Sequence, residues 1–389
     1  MPRSGLRIGT ATNGMSGKSV WPSPTRAETL DLLARLCALV RDGGDLPALS
    51  EAAAGRLATA AKREGVGGWL LHRLTVSYAD WGATGLLAPL LRRQAMDTVA
   101  HNAHALGVVR DVERRLKGID TVRLKGIALI DSPYYTDVSH RLAGDIDLWV
   151  DPGRIYEARD ILLAAGGRAT GWGDRPMESD GDAHLGAVEY RGTRIELHGR
   201  LFRRDFGWDL PGGLTDYATE WRGGRMLRTD AMAYHLVMHA YKHYVWQSIC
   251  LKWVVDIAKL LDAADDMADA LRLLRETSAD SAKAARWAVG VAMPLMPERK
   301  AEELRAMGFS PLAYSANTSR GEMGTAKYKR SALYLIWSGV ATKVRLAHGL
   351  RGKMAAAAYC VRYELGRTRK RYPGDNILKA VIKRIIKKK

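Results

Sequence analysis

The sequence predicts an α+β (mixed α/β) fold, in which a mixed sheet is flanked by helical regions on its N-terminal and C-terminal sides. Residues 25–118 and 229–326 show the apolar spacing of three to four residues that is typical of helices. Residues 119–228 instead hold short β-branched runs between glycine-containing turns, which indicates strands. We expect residues 1–24, which are rich in Gly, Ser, Thr and Pro, to be disordered, and residues 327–389 to form a basic helical tail.

The N-terminal region is predicted to be a series of helices. Apolar stripes and stop signals place them over 26–42, over 50–64 with Ser50 as N-cap, from Gly68 onward, and over 88–116. The pattern changes at Thr121, where the sheet-forming part begins. There we expect a strand up to Leu124, a strand over 145–150, a helix over 154–165, and a hairpin that turns at Arg191-Gly192.

Two carboxylates, Asp145 and Asp147, are the most informative feature of the core. They lie two residues apart in an apolar run, so on a strand both would point to one face, about 6–7 Å apart at Cα. Like charges on a buried face repel each other, and a divalent cation between them would remove that repulsion. The alternative is a solvated strand end, where paired aspartates need no partner.

A third carboxylate, Glu196, follows the hairpin turn on the returning strand. It alternates with Ile195 and Leu197, so it shares a face with Asp145 and Asp147 if the two strands are neighbours. Three carboxylates on one strand surface are typical of a two-metal site for phosphoryl transfer. Asp145, Asp147 and Glu196 are therefore the predicted catalytic and metal-binding residues.

Upstream of the aspartates, Lys125-Gly126 lies where a strand is expected to turn into a helix. A glycine at such a turn lets the backbone approach a phosphate, and the start of a helix favours negative charge. Lys125 and Arg141 are candidates for neutralising phosphate charge, with ordinary ion pairing as the alternative for both. His198 shares the face of Glu196 and is expected either to orient it or to contact substrate.

These motifs, in this order and spacing, resemble the uncharacterised nucleotidyltransferase family of the DNA-polymerase-β-like nucleotidyltransferase superfamily. The resemblance covers about residues 105–260 and rests on Lys125-Gly126, Tyr134-Tyr135, Arg141, Asp145-Ile-Asp147-Leu and Ile195-Glu196-Leu-His198, followed by His235, His239, His243 and Lys252-Trp253. At the turn where the superfamily usually has Gly-Gly or Gly-Ser, this chain has Lys125-Gly126. That difference raises the hypothesis that the lysine replaces backbone donors to phosphate.

The resemblance implies a nucleotidyltransferase-fold mixed sheet and a metal-dependent transfer of a nucleoside monophosphate from an NTP, such as ATP, to an acceptor. It implies Mg²⁺ (or Mn²⁺) at Asp145, Asp147 and Glu196, and nucleotide binding by Lys125, Gly126, Arg141 and His198. The acceptor group would be a hydroxyl or phosphate of a small molecule, sugar, peptide or protein. Two alternatives stay open: a non-catalytic nucleotide-binding or recruiting protein with the same fold, and an RNA-directed nucleotidyltransferase.

Three histidines at positions 235, 239 and 243 lie on one face of a predicted helix. The outer two are about 12 Å apart along the axis, too far for one metal ion to bind all three, although two of them with a carboxylate could bind one. We favour a helix face that packs against the catalytic core, with one histidine reaching substrate or phosphate.

The net charge of +18 belongs almost entirely to the C-terminal end of the chain. Residues 327–389 hold 18 Lys and Arg against two acidic residues, whereas the first 326 residues are nearly neutral at +2. Residues 376–389 are predicted to form a basic amphipathic helix. The segment 367–389 is expected to bind an anionic membrane surface or an acidic partner, with nucleic acid as the less favoured alternative because aromatic residues for base stacking are absent from its end.

Cysteine content and hydropathy favour the cytoplasm, with a peripheral membrane location as the alternative raised by the basic tail. The three cysteines, Cys37, Cys250 and Cys360, are far apart and show neither metal-ligand spacing nor a disulfide framework. We expect no signal peptide and no membrane span, since no run of 18 apolar residues exists.

Overall fold

The computed structural model describes residues 26–38, 49–77, 86–170, 183–245, 249–314 and 353–354. The predicted disordered N-terminus (1–24), almost all of the basic tail (327–389) and most of the glycine-rich loop at 171–183 lie outside the described residues. Within the described part, no helix combines the length and apolarity needed to cross a bilayer.

A seven-stranded mixed sheet forms the centre of the molecule, in the order β3-β4-β5-β2-β1-β7-β6. The strands are β1 (Thr121–Leu124), β2 (Ile146–Val150), β3 (Arg168–Ala169), β4 (Val188–Tyr190), β5 (Thr193–His198), β6 (Ala218–Trp221) and β7 (Gly224–Leu227). The pairs β2–β5 and β1–β7 are parallel and the other pairs are antiparallel. The mixed sheet that the sequence predicts is therefore confirmed.

Helices precede and follow the sheet, as predicted. Those before β1 are α1 (Arg26–Ala38), α2 (Glu51–Glu64), α3 (Gly67–Ser77) and α4 (Leu87–Arg115). Two more connect the strands, α5 (Lys125–Ile130) and α6 (Ile155–Ala164). The helices after the sheet are α7 (Thr229–Val245), α8 (Leu251–Asp262), α9 (Met267–Ala270), α10 (Arg272–Glu276), α11 (Ala279–Ala292) and α12 (Glu298–Ala306).

The local sequence signals explain several of these boundaries. The Ser50 hydroxyl accepts a hydrogen bond from the backbone N–H of Ala53 and so caps α2, as expected. Arg191 and Gly192 have φ of 50° and 73°, the left-handed pair that a tight hairpin turn requires. A second Arg-Gly pair, Arg222-Gly223, has φ of 46° and 77° and joins β6 to β7 in the same way.

Apolar residues cover both faces of the sheet. On one face, Leu148, Val150, Ile195 and Leu197 pack with residues of α4 and α6. On the other face, Val122, Leu124 and Trp149 belong to a larger core that includes residues of α2, α3, α7, α8 and α11. Because side chains alternate along a strand, residues 147, 196 and 198 point to this second face, which we call the site face.

Candidate active site

Asp147 and Glu196 lie directly beside each other on neighbouring parallel strands. Strand β2 pairs with β5 so that Asp147 is opposite Glu196 and Trp149 is opposite His198. Both carboxylates are largely buried, with 1% and 9% of their surface exposed. The sequence alone did not show whether these two strands are neighbours. They are, and their pairing brings two of the three predicted carboxylates together.

One oxygen of Asp147 receives two donors. The Lys125 ammonium lies 2.5 Å from Oδ1 and the His198 Nε2 lies 2.8 Å from the same atom. Burial alone raises the pKa of the Asp147 carboxyl, but the charge of Lys125 and the hydrogen bond from His198 outweigh it and hold that pKa well below its usual range. Asp147 is therefore ionised at neutral pH, and its Oδ2 has no hydrogen bond to any described residue.

Glu196 is held in a similar way through one oxygen. Arg194, two residues earlier on β5, donates from Nη2 to Glu196 Oε1 at 2.6 Å and from Nε at 3.1 Å. The other oxygen, Oε2, lies 3.9 Å from His198 Nε2, on the side of Asp147. Each of the two carboxylates thus has one oxygen fixed by a basic side chain and one oxygen available for a further ligand.

The sequence had suggested that Asp145 lies within a strand. In the structure it lies one residue before β2. The reason is that β1 ends opposite Asp147, where Lys125 turns the chain into α5, so residue 145 has no partner on that side. Asp145 is nevertheless close to the other acids: burial raises the pKa of its carboxyl, and the negative charges of Asp147 and Glu196 raise it further. It is half-buried and forms the outer edge of the site.

His198 is a buried, neutral imidazole. Burial, followed by the nearby charge of Lys125, lowers the pKa of His198 to about 4, so the ring carries no charge at neutral pH. Its Nδ1 is buried without a hydrogen-bond partner among the described residues. This pattern favours the tautomer in which Nε2–H donates to Asp147, so His198 stabilises the ionised carboxylate of Asp147.

Lys125 occupies an unusual backbone position for a lysine. Its φ of 49° lies in the left-handed region, which non-glycine residues adopt at a cost of about 1 kcal/mol or more. The turn points the side chain onto the site face, where only 20% of it is exposed. Burial by itself lowers the pKa of Lys125, but the charges of Asp147, Glu196 and Asp145 reverse that effect and raise it.

Arg141, predicted to bind phosphate, makes the ion pair that the sequence left as its alternative. Its guanidinium donates to both oxygens of Asp256 on α8, at 3.0–3.3 Å, and the Tyr135 hydroxyl donates to the same carboxylate at 2.6 Å. Asp256 is completely buried and Arg141 is 5% exposed. A Cβ on Gly126 would lie 2.2 Å from Arg141 Nη1, so this glycine makes room for the ion pair.

Sequence reasoning missed the side chain that holds the loop before Asp145. The Asn102 amide on α4 donates to the backbone oxygens of Val138 and Arg141, at 2.6 and 2.7 Å, and accepts from the Ala143 N–H at 3.0 Å. Asn102 is completely buried. An isolated asparagine within a long polar helix gives no sign of this role, because the contact spans about 40 residues of sequence.

Helix α7 packs on the site face through the predicted histidine face. His235 and His239 are buried, and the His235 ring lies 5.6 Å from that of Phe202, just beyond β5. Burial lowers the pKa of His235 far below its usual value, and the charges of Lys125, His198 and Asp147 act on the same ring. His235 is therefore the histidine nearest the charges of the site, whereas the rings of His239 and His243 pack on Trp253 of α8, at 5.2 and 4.4 Å.

Two further lysines, Lys242 and Lys252, were not among the predicted site residues. Burial lowers the pKa of Lys242 on α7 to about 8, with a further lowering from Lys125 and opposing effects from Asp147 and Glu196. Lys252 on α8 passes over Gly65, where an added Cβ would lie 2.8 Å from its Cδ, and Asp145 is among the charges that act on it. Lys242 follows His235 by seven residues, a helical spacing that could have revealed it.

The donor atoms fit a divalent metal ion. One ligand atom each from Asp147, Glu196 and His198 lies within 4.8 Å of the others, and this is the group of the described residues that meets this geometry. Carboxylate oxygens and a neutral imidazole are common ligands of divalent ions, and ligation by His198 Nε2 would require its proton to move to Nδ1. The predicted metal-binding set was Asp145, Asp147 and Glu196. The group that meets the geometry contains His198 in place of Asp145.

Comparison with known proteins agrees with this geometry. A family model described as uncharacterised nucleotidyltransferase matches residues 50–292, more than half of the chain. The chain belongs to this family. The match spans the sheet, all the site residues above, and the helices α7 and α8 that cover them, so the resemblance seen in the sequence motifs is confirmed. No curated protein and no solved structure matches the chain.

Proposed function

We propose that this protein is a metal-dependent nucleotidyltransferase that moves a nucleoside monophosphate from an NTP to an acceptor. The observation that carries the proposal is the buried pair Asp147–Glu196, in register on adjacent strands and accompanied by a lysine and a neutral histidine. A purely structural pair of acids would be expected to have each oxygen paired. Here, one oxygen of each carboxylate has no hydrogen bond to a described residue and is available for a ligand.

Asp147 and Glu196 would hold Mg²⁺ (or Mn²⁺), with His198 beside them and Asp145 at the outer edge of the site. The ion would neutralise charge on the phosphate oxygens and on the attacking and leaving oxygens of the transfer. This assignment keeps the predicted trio of carboxylates and adds His198 to it. The assignment of Gly126 and His198 to nucleotide binding also stays a prediction.

The side chains of the site suit the transfer reaction. The acceptor oxygen forms a bond to the α-phosphorus, the bond from that phosphorus to the bridging oxygen breaks, and pyrophosphate leaves with the electron pair of that bond. The acceptor proton would pass to Glu196, whose Oε2 has no hydrogen bond to a described residue. Lys125 would bind a phosphate oxygen, and the helix α7 would exclude water from the reacting groups.

Arg141 stays a predicted phosphate ligand, but its pairing with Asp256 favours a supporting role. The pair links the loop before Asp145 to helix α8, so it fixes the acidic site relative to the covering helices. A buried guanidinium with two carboxylate contacts would have to give them up to bind a phosphate. We therefore place Lys125 ahead of Arg141 as the phosphate-binding residue.

The acceptor is proposed only by class, as a hydroxyl or phosphate of a small molecule, sugar, peptide or protein. Binding of an anionic membrane, an acidic partner or nucleic acid by residues 367–389 stays a prediction, because that segment lies outside the described residues. The location in the cytoplasm or at a membrane surface likewise stays a prediction.

The proposal is tested by label transfer from each α-labelled NTP to the components of a cell extract, with Mg²⁺ or Mn²⁺. Wild type should transfer label, and Asp147→Asn should reduce the rate by about a hundredfold or more, as expected for a group that stabilises developing charge. Asp160→Asn is the matched control, because Asp160 is an exposed carboxylate on α6 that pairs only with its neighbour Arg159 among described residues. The labelled product then identifies the acceptor.

Two outcomes would contradict the proposal. Equal transfer by wild type and Asp147→Asn would show that the labelled product forms elsewhere. Binding of NTP by a folded wild type that transfers no label under any condition would favour the non-catalytic alternative. A third outcome, transfer to RNA that is lost at raised salt, would keep the transfer reaction and favour the RNA-directed alternative.

A further inference from the structure

Lys125 contacts or influences every carboxylate of the site. Its ammonium lies 2.5 Å from Asp147 Oδ1, and the charges of Asp147, Glu196 and Asp145 all act on it. Within the part of the chain that the structure describes, Arg194 also forms an ion pair at the site, but its contact reaches Glu196 alone. The site therefore has a cation of its own before any metal ion binds.

We propose that Lys125 is the internal counter-cation of the acidic site, that a divalent ion must compete with it for Asp147, and that a polyphosphate resolves the competition by drawing the lysine away. Metal ion and triphosphate would then bind with positive cooperativity. The metal competition stands on the geometry of the chain alone, whereas the identity of the polyphosphate rests on the proposed function.

The backbone supports this role because it aims the lysine at the acids. Lys125 is the first residue of α5 and adopts φ of 49°, a conformation that glycine would adopt without strain. Keeping a lysine at this position has a conformational cost, which is expected where the side chain has a function. The side chain is a flexible stem with a compact charge, so it can exchange one anionic partner for another without movement of the sheet.

The competition is electrostatic, since an ion can bind Asp147 Oδ2 while Lys125 stays on Oδ1. Asp147 Oδ1 already accepts hydrogen bonds from Lys125 and His198. An ion that binds Asp147 and Glu196 would place two positive charges close to a buried ammonium, where repulsion is much stronger than in water. A triphosphate carries enough negative charge to offset both cations, so it favours the metal-bound and lysine-displaced arrangement.

Thermodynamic linkage makes the prediction symmetrical. If triphosphate strengthens metal binding by displacing Lys125, then metal must strengthen triphosphate binding by the same factor. Loss of the lysine should reduce this coupling to the direct attraction between metal ion and triphosphate and, at the same time, strengthen the binding of metal alone. A residue that only binds phosphate or only supports the fold would not produce tighter metal binding when it is removed.

The experiment measures Mn²⁺ affinity without nucleotide, by electron paramagnetic resonance of the free ion, for wild type, Lys125→Met and Lys125→Gln. We expect both variants to bind Mn²⁺ about tenfold more tightly than wild type, a difference of about 1.4 kcal/mol. Lys125→Gln keeps a donor for Asp147 Oδ1 and guards against misfolding of the methionine variant. Lys259→Met is the matched control, since Lys259 on α8 lies 5.2 Å over the Trp69 ring and should leave Mn²⁺ affinity unchanged.

A second measurement uses the melting temperature of each protein with Mn²⁺, with a non-transferable triphosphate analogue, and with both. In wild type the two together should raise the melting temperature by more than the sum of their separate effects. In the Lys125 variants the response to Mn²⁺ alone should grow and the excess should become smaller.

Mn²⁺ binding that is equal or weaker in both Lys125 variants would overturn the proposal. Independent binding of Mn²⁺ and the analogue in wild type would overturn it as well, whether or not the variants fold. The metal readout needs no group transfer, so tighter Mn²⁺ binding by the variants of a protein that transfers no label would refute the proposed function and leave this inference standing.

Discussion

Two buried charge clusters lie two residues apart in the chain, one on each face of the sheet. The first, which we call the arginine cluster, consists of Arg123 with Glu113 and Asp131. The second, the lysine cluster, consists of Lys125 with Asp147, Glu196 and His198. Both are built on β1 or on the residue that follows it, and both are shielded from water, but they differ in how their hydrogen bonds are distributed.

In the arginine cluster the basic group is fully engaged. Arg123 donates from Nε and Nη2 to the two oxygens of Glu113, at 2.7 Å each, and from Nη1 to Asp131 at 2.8 Å. The guanidinium is planar, and its donors match these carboxylates in fixed directions. A Cβ on Gly224 would lie 2.5 Å from Nη2, so the surrounding chain leaves no space for another partner.

In the lysine cluster the basic group is a point charge shared by several acids. Lys125 donates to one oxygen of Asp147, and the second oxygens of Asp147 and Glu196 have no hydrogen bond to any described residue. An ammonium on a flexible stem can change partners, whereas a guanidinium in a fixed fork cannot do so without loss. The comparison indicates that the arginine cluster holds the fold together and that the lysine cluster is built to receive a ligand.

The largest expected effect concerns the arginine cluster and is a loss of stability. Arg123→Met leaves the buried carboxylates of Glu113 and Asp131 without their main partner, which should lower the free energy of unfolding by about 3–5 kcal/mol. Urea unfolding followed by circular dichroism measures this change. Addition of Mn²⁺ should not restore the loss, since no oxygen of this cluster faces the site.

A small loss of stability in Arg123→Met, comparable to that of Lys125→Met, would remove the distinction between the two clusters. A loss that Mn²⁺ reverses would indicate that the arginine cluster also binds metal. The exposed pair Arg168–Glu189 provides the control, because Arg168→Met removes a surface ion pair worth about 1 kcal/mol or less.

The sequence predicted the acidic pair because the necessary information is local. Alternation along β5 places Glu196 and His198 on one face, and the Arg191-Gly192 turn fixes where that strand begins. The prediction required β2 and β5 to be neighbours, which the sequence alone does not show, since parallel pairing depends on the crossover between the strands. Asp145 was assigned to the strand because the sequence does not show that β1 ends at Leu124, opposite Asp147 and two residues before its register would reach Asp145.

Other parts of the site could not be predicted, since they depend on contacts between distant segments. Arg141 reads as a phosphate ligand by its position before Asp145, but its partner Asp256 lies 115 residues later and only the folded chain joins them. The roles of Asn102 and Lys242 depend in the same way on how α4 and α7 pack. By contrast, the histidine face of α7 carries a 3.6-residue period, and its packing against the catalytic core was predicted.

The second expected effect is a pH dependence of stability that belongs to His198. Burial lowers the pKa of His198 from 6.5 to about 4, so between these values the unfolded chain binds a proton that the folded chain does not. Stability therefore falls as the pH falls from about 6.5 to about 4, by about 3 kcal/mol from this residue. His198→Asn should show a shallower decline over the same range, measured by urea unfolding at each pH.

Other buried histidines contribute in the same direction, among them His140, whose pKa is also lowered to about 4. The difference between wild type and His198→Asn isolates the contribution of the lysine cluster, because the other histidines are common to both proteins. Parallel curves would mean that His198 is protonated as easily in the folded chain as in the unfolded one, contrary to its buried and neutral assignment.

The smallest expected effect concerns Lys242 and tests whether the ligand-binding surface extends from the lysine cluster to α7. Burial and the charge of Lys125 lower the pKa of Lys242 to about 8, so the ammonium is charged below that pH and loses its charge above it. A triphosphate would stabilise the charged form and raise that pKa in the complex. Affinity for a non-transferable triphosphate should therefore weaken as the pH rises through about 8.

Lys242→Met should bind the analogue about tenfold more weakly than wild type at pH 7, consistent with loss of one charge-assisted contact of about 1.4 kcal/mol. Its affinity should also be nearly independent of pH between about 7.5 and 9, since the group that titrates there is gone. Calorimetry at several pH values measures both quantities. Mn²⁺ affinity without nucleotide should not fall in this variant, because loss of a positive charge that Asp147 and Glu196 sense does not weaken the binding of a cation. A variant that matches wild type in both affinity and pH profile would limit the polyphosphate-binding group to Lys125, and α7 would then act only as a cover for the acidic pair.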